Sequence, residues 1–380
     1  MNNPTKDGYT FLGWTGSNGD TPQTTVTIET GSTENKTYAA NYSLISYNIV
    51  YNLDGGNLAT DNPTKYDVTS GTITLYNPTK DGCNFFGWTY EGQTTPQMTV
   101  SIDTGSTGDK SYTANWIESI TFNLPNGVTL VMHKIPAGTF TMGCPATELG
   151  SQDGNGEKNQ HQVTLTEDFY IGVYEVTQAQ YSVVMGSNPS EFQSSNGYTD
   201  DNQRPVESVS WNDIKTASTG FIDKINTQLA SQLPEGYKFD LPTEAQWEYA
   251  CRADTITSLN NGTDLTSAYG ICPNLDILAW YIGNSSVNDV KQTHPVDQKL
   301  PNAWGLYDMH GNVWEWCKDM YANYPTSAVT DPLCVSGSRR VIRGGSWKID
   351  PNGNRSASRS YTNPSNASSE FGFRLALVHE

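Results

Sequence analysis

Arg343-Gly-Gly-Ser-Trp347 and Gly372-Phe-Arg-Leu375 bracket the stretch that decides how this chain is read. Between them run Lys348-Ile-Asp-Pro-Asn-Gly-Asn354, Arg355-Ser-Ala-Ser-Arg359 and Ser360-Tyr-Thr-Asn-Pro-Ser-Asn-Ala-Ser-Ser-Glu370. Apart from the two arginines, the middle is almost wholly small polar residues with one tyrosine. Tyrosine offers a large contact area at low entropic cost, and Ser and Asn offer adaptable hydrogen bonds. Gly344-Gly345 permits a tight backbone turn before Trp347. The pattern predicts a fixed frame carrying a polar recognition surface.

Working outward, Asn302-Ala-Trp-Gly-Leu-Tyr-Asp-Met-His-Gly-Asn-Val-Trp-Glu-Trp-Cys317 is the densest motif. Upstream, Val131 to Gly143 reads as a strand ending in a glycine turn, and Phe169 to Thr177 as a second strand. Thr177 is placed to cap a helix from Gln178. Asn212-Asp213 reads as another cap, with a helix to about Leu233 carrying Ala217, Phe221, Ile225 and Leu229 at four-residue spacing. Thr243 with Gln246 three residues on is a capping box.

These blocks, with Ile135-Pro-Ala-Gly-Thr-Phe-Thr-Met-Gly143, Leu241-Pro-Thr-Glu-Ala-Gln-Trp-Glu-Tyr249 and Gly372-Phe-Arg374, resemble the formylglycine-generating-enzyme (sulfatase-modifying factor) family, in that family's order. The resemblance implies an α+β, C-type-lectin-like domain over residues 118–380. It also implies a test of catalysis. The family's oxidase binds copper(I) through a cysteine pair just past the Gly-Gly-Ser-aromatic motif, and soft sulfur suits that ion. Those positions hold Ile349 and Asn354, and no cysteine occurs from Val335 to Glu380. The expectation is therefore a protein without copper and without catalysis.

Calcium is the cofactor the resemblance does imply, through the carboxylates of Asp308 and Glu315 and the carbonyls of Gly311 and Val313. Hard oxygens on one tight loop suit that ion. The histidines, His133, His161, His294, His310 and His379, show no ligand spacing, and His310 reads as a structural hydrogen-bonding residue. The six cysteines include no CxxC pair and read as buried free thiols, with a disulfide or two left open.

The last segment also resembles the variable region of proteins diversified by retroelements, which end in the same Gly-Gly-Ser-Trp, Arg-Ser-Ala-x-Arg and Gly-Phe-Arg arrangement. In them adenine-directed mutagenesis acts on Asn-type codons, whose products include Asn, Ser, Thr, Tyr, Asp and Ile. The ligand-facing set expected within 348–371 is Lys348, Ile349, Asp350, Asn352, Asn354, Ser358, Ser360, Tyr361, Asn363, Ser368, Ser369 and Phe371. Lys348 and Glu370 fall outside the codon set. Arg355, Ala357 and Arg359 read as framework, the arginines as salt-bridge partners.

At the other end, Asn3-Pro-Thr-Lys-Asp-Gly recurs as Asn77-Pro-Thr-Lys-Asp-Gly, an offset of 77 − 3 = 74 that persists to Tyr38 and Tyr112. This resembles the Listeria–Bacteroides repeat, a small β-rich, β-grasp-like module of bacterial surface proteins. A partial copy is expected at 1–43 and a complete one at 44–117. Because the first copy opens midway, the chain is expected to be a fragment of a longer protein.

With Lys+Arg 22 against Asp+Glu 40, the net charge of −18 disfavours nucleic acid, which needs clustered cations. Nothing approaches the ~18 uninterrupted apolar residues of a membrane span. The sequence thus reads as an extracellular, bacterial cell-surface binding protein: a repeat stalk and a lectin-like domain that takes a protein or glycan ligand. Two alternatives stay open, an enzyme of the sulfatase-modifying class with displaced chemistry and an adhesin of fixed specificity.

Overall fold

The computed structural model describes residues 1–58, 62–152, 154, 156–199 and 201–379. It divides into two units, Met1–Trp116 and Ile117–Glu380.

The first unit repeats itself at the sequence offset. Strand Tyr9–Gly16 pairs antiparallel with Gly19–Gln23 and Tyr38–Leu44, and Cys83–Tyr90 pairs antiparallel with Gln93–Gln97. Asn41 Nδ2 donates to Gly13 O and Thr15 Oγ1, and Asn115 Nδ2 donates to Gly87 O and Thr89 Oγ1. Gly13 and Gly87 have φ of 139° and 132°. A Cβ on either would meet the backbone of Gln23 or Gln97, so both positions require glycine. The second copy adds Tyr47–Asn52 parallel to the strand beginning at Lys110. Its Trp88 is fully buried among Ile49, Tyr66 and Tyr112, whereas Trp14 is half-buried.

In the second unit, one antiparallel sheet runs in the order 119–123, Thr129–Ile135, Phe169–Gly172, Ala376–His379, Tyr237–Asp240. The unit's first and last strands therefore share a sheet, and this anchors the C-terminal segment at its far end. A second sheet holds Arg359–Thr362, Arg340–Arg343, Trp314–Met320 and Phe371–Gly372 in that order. The expected strand from Val131 to Gly143 is two strands, Thr129–Ile135 and Gly138–Met142, broken at Pro136-Ala137. Proline has no N–H to donate to a ladder there.

Four helices of this unit carry the argument: α1 (Gln178–Met185), α2 (Trp211–Lys215), α3 (Phe221–Gln228) and α4 (Glu244–Arg252). Thr243 closes the expected capping box with Gln246, and Thr177, expected as a cap, closes one with Gln180 as well. The single helix expected from Asn212 to Leu233 is two. Ser210 caps α2, Ser218 turns the chain at φ 66°, and Gly220 lies so close to Ile214 O and Thr216 that no Cβ fits. The break lets α3 bury Phe221, Ile222 and Ile225. Each contributes ~1.5–3 kcal/mol by leaving water. Tyr181 stacks on Phe221 at 5.4 Å, and Phe373 closes edge-on at 5.1 Å.

All six cysteines are free thiols, four buried and two, Cys83 and Cys334, half-buried. Among the described residues, no helix is long and apolar enough to cross a membrane.

Candidate functional site

Four arginines bracket and punctuate the 343–374 segment, and all four are buried. Arg343 pairs with Glu248 at 2.5 Å and Glu244 at 3.3 Å, and donates to Ser356 O. Arg359 grips Glu244 with two bonds of 2.7 and 2.6 Å. Arg355 pairs with Glu148 at 2.5 Å and Glu157 at 2.6 Å. Arg374 meets Glu315 at 2.8 Å and donates to Gly172 O and Tyr307 O. Such forked, charge-assisted pairs fix orientation as well as position.

Helix α4 supplies two of these acids because Glu244 and Glu248 sit four residues apart on its inner face. Burial alone would raise the Glu248 carboxyl. Arg252, Arg343 and the Gly143 N–H outweigh it and hold the group below the usual carboxylate range.

The loop after the glycine turn is stapled from both ends. Trp347 Nε1 donates to Ser369 O at 2.9 Å, and Ser346 Oγ to Glu370 Oε2 at 2.8 Å. Asn354 Nδ2 donates to Asp350 O and Ile349 O. His310 plays the structural part expected of it. Its Nε2 accepts from Asn260 N, which leaves Nδ1 to donate to Asn354 O at 2.7 Å. Burial pushes its imidazole down to about 4.

This geometry sorts the ligand-facing set. Lys348 and Asn363 are exposed, and Asp350, Asn352, Ser360, Tyr361, Ser368 and Ser369 are half-buried. Asn354 and Ser358 are corrections: both are buried, Asn354 because its amide braces the loop from within and Ser358 because it sits between Arg355 and Arg359. Ile349 and Phe371 are half-buried and lean on the apolar core, with Phe371 edge-on to Trp316 at 5.7 Å.

The remaining residues do not form one cluster. Lys348 approaches Glu370 at 3.8 Å and so lies beside Ser368 and Ser369. Ser360 and Tyr361 ride the opposite edge strand, where Tyr361 meets the Tyr321 ring at 4.1 Å with the Arg339 guanidinium 4.9 Å from its centroid.

Sequence reasoning missed the neighbours. Gly270 N donates to Asp350 Oδ1 at 2.9 Å, and Asn352 N to Ala268 O at 3.1 Å. That loop carries Tyr269 and Ile271, each 69% exposed, beside the segment. Gly150 packs against Asn352, with the exposed Leu149 next to it. Only an exposed aromatic in a Ser-Ala-Tyr-Gly turn could have signalled this.

The implied calcium loop is divided. Asp308 (φ 55°) is buried, accepts from Asp297 N at 2.9 Å through Oδ2, and among the described residues finds no partner for Oδ1. Burial, with Asp297 and Glu315 nearby, lifts its carboxyl to about 6. Glu175 is raised well above the usual range by burial, then by Asp308 and Glu315. This excess of buried acid and the orphaned oxygen fit a cation. Glu315 fits less well, because Arg374 and Trp247 Nε1 already occupy both its oxygens. Among the described residues, no three His, Cys, Asp or Glu side chains converge as a metal-holding group.

Comparison with known proteins agrees with the folded frame. The family described as the sulfatase-modifying factor enzyme 1-like domain matches residues 125–378, and the Listeria-Bacteroides repeat domain matches 1–41 and 47–114. The chain belongs to the sulfatase-modifying factor enzyme 1-like family, with Listeria-Bacteroides repeats before that domain. Among solved structures, Treponema denticola variable protein 1 is similar at 30% identity and a TM-score of 0.55, covering 68% of this chain and 98% of that one. Among curated proteins, chaperone protein LppX of Paenibacillus barcinonensis is 32% identical over 52% of this chain and 74% of its own length. The formylglycine-generating enzyme of Mus musculus is 28% identical over 65% of this chain and 75% of its own.

Proposed function

We propose that this chain is a non-catalytic ligand-binding protein of a bacterial cell surface. Its repeats act as a stalk, and residues 348–371 supply a binding surface, in two patches, that is diversified by a retroelement. One observation carries the reading. The segment's backbone is held by buried arginines and main-chain bonds, while the side chains of Lys348, Asp350, Asn352, Ser360, Tyr361, Asn363, Ser368 and Ser369 reach solvent. Apart from Asp350, whose Oδ1 accepts from Gly270 N, those side chains can change without altering what fixes the loop.

The chemistry of the enzyme positions supports the same reading. Ile349 leans on the core and Asn354 is a buried brace, and neither offers a thiolate. Cys251 and Cys144 lie elsewhere, with burial pushing both thiols up to about 12. The similarity to a protein named as a variable protein adds support. The ligand is a protein or a glycan. The −18 charge weighs against nucleic acid.

Calcium belongs to the proposal as a structural ion, held by Asp308 with the carbonyls of Gly311 and Val313. When bound it would supply positive charge to the buried acids. The unfolding midpoint should then rise by several degrees between chelator and millimolar calcium, and Asp308→Asn should abolish the difference. An unchanged midpoint in wild type would remove the ion from the account.

The diversification itself is tested by deep-sequencing the bases that encode the segment after Trp347, from many cells of one lineage. Substitutions confined to adenine positions between Trp347 and Gly372 are expected. A uniform sequence would leave an adhesin of fixed specificity.

A further inference from the structure

The two repeat copies of the first unit build the same cleft, and only the second fills it. There, residues 49–52 lie parallel to 110–113. The strand Tyr47–Asn52 alternates, with Ile49 buried and Asn48, Val50 and Asn52 turned to water. Its Tyr51 lies 5.8 Å from the Trp88 ring and stacks on Tyr112 at 6.2 Å. Further along the same half-repeat, Ile73 pairs opposite Ile102.

At the 74-residue offset the first copy has the floor of this cleft already assembled. Phe11 meets Trp14 at 5.6 Å and Tyr42 at 5.7 Å, much as Phe85 meets Trp88 at 5.3 Å and Trp116 at 5.5 Å. The cover is missing. Ile28 is 49% exposed where its counterpart Ile102 is 3% exposed. Trp14 and Tyr38 are half-buried where Trp88 and Tyr112 are buried. Tyr38–Leu44 is also the edge of its sheet, and among the described residues no strand pairs with its outer side.

An unpaired edge beside a row of apolar side chains is a template for another strand. The second copy shows which strand fits, because the same residue pattern is occupied there. The chain's own Tyr47–Asn52 is engaged in that copy and does not serve both.

We infer that the first copy is a strand-acceptor site whose occupant is the opening half of a further repeat, laid parallel to residues 36–39 in the register of the second copy. Main-chain bonds along the edge supply affinity, and inward apolar residues at alternate positions supply selectivity. The occupant strand is uncharged, as Tyr47–Asn52 is. Such capture joins repeats end to end. It is separate from the 348–371 surface and does not rest on it.

The probe is a synthetic peptide with the sequence of residues 46–74, titrated by calorimetry into the full chain at pH 7. Saturable one-to-one binding is expected. An Ile49→Asp peptide puts a charge into the cleft and should bind about tenfold or more weakly. A Val50→Asp peptide changes the outward side and should bind as the parent does. In the chain, Ile28→Asp alters a position that is already exposed, so folding should survive, and it should weaken the parent peptide by a similar factor. Exchange of the peptide into the second copy would not respond to that substitution. The assignment is overturned by absent or non-saturable binding, by equal affinity of the two variant peptides, or by binding that Ile28→Asp leaves undiminished. It is equally overturned if sedimentation shows the chain alone forming a dimer that Ile28→Asp dissolves, because the occupant is then a second copy of this chain.

Discussion

The inner and outer faces of the 343–374 segment obey opposite rules. On the inner face Arg343, Arg355, Arg359 and Arg374 are buried, and each is matched to a named carboxylate on another element. On the outer face Ser360, Asn363, Ser368 and Ser369 take part in no ion pair, and the Lys348–Glu370 pair is loose at 3.8 Å with the lysine 59% exposed. The contrast teaches how a loop-rich fold can offer a changeable surface. The specificity of the backbone is carried by groups that face away from the ligand, so the ligand-facing groups are not needed for folding.

The largest expected effect breaks the inner face. Arg343→Ala leaves Glu248 and Glu244 buried without that partner. It should cost ~3–5 kcal/mol in urea unfolding or abolish folding, and a loss below ~1 kcal/mol would sink the idea that these pairs hold the frame.

Next comes pH. Burial lifts Glu207 to about 7 and Asp319 to about 7. An acid whose folded pKa is raised binds its proton more tightly when folded. Its contribution is therefore complete below the unfolded value near 4–4.5 and is lost as pH rises to about 7. Stability should fall across that window by ~1–3 kcal/mol for each group. Glu207→Gln should flatten the profile, and a profile that rises over the window would contradict the assignment.

Smaller again is Asn354→Ala, which removes two bonds to the loop and should cost ~1–2 kcal/mol. Asn352→Ala, two residues away on the outer side, should stay within about 0.5 kcal/mol. Equal costs would erase the distinction between faces. Tyr269→Ala should leave stability within about 0.5 kcal/mol yet weaken a ligand selected on the face by tenfold or more, read by surface plasmon resonance. Unchanged affinity would remove the 268–271 loop from the surface.

Sequence carried the parts that local chemistry dictates. The cap at Thr177 and the capping box at Thr243 were legible because a cap and the groups it satisfies lie within three residues. The 74-residue repeat was legible from its constant offset, and the structure adds the matched Asn41 and Asn115 bonds. The arginines could be assigned as framework, but not their acids. Glu148 and Glu157 lie some 200 residues from Arg355, and only the fold brings them together. The same holds for Tyr269 and Ile271 beside Asp350. Asn354 and Ser358 were misplaced outward because composition cannot tell a polar side chain that faces water from one that braces a loop. The helix across Lys215–Gly220 failed for a local reason, the close approach at Gly220, which four-residue spacing of apolar residues does not reveal.

The most direct test of the account is a displayed library that randomises each position from 343 to 374, scored for folded protein by a conformation-dependent probe. The account predicts near-full tolerance at 348, 352, 360, 361, 363, 368 and 369, partial loss at 350 and 354, and collapse at 343, 355, 359 and 374. Uniform tolerance, or collapse at the outward positions, would contradict it.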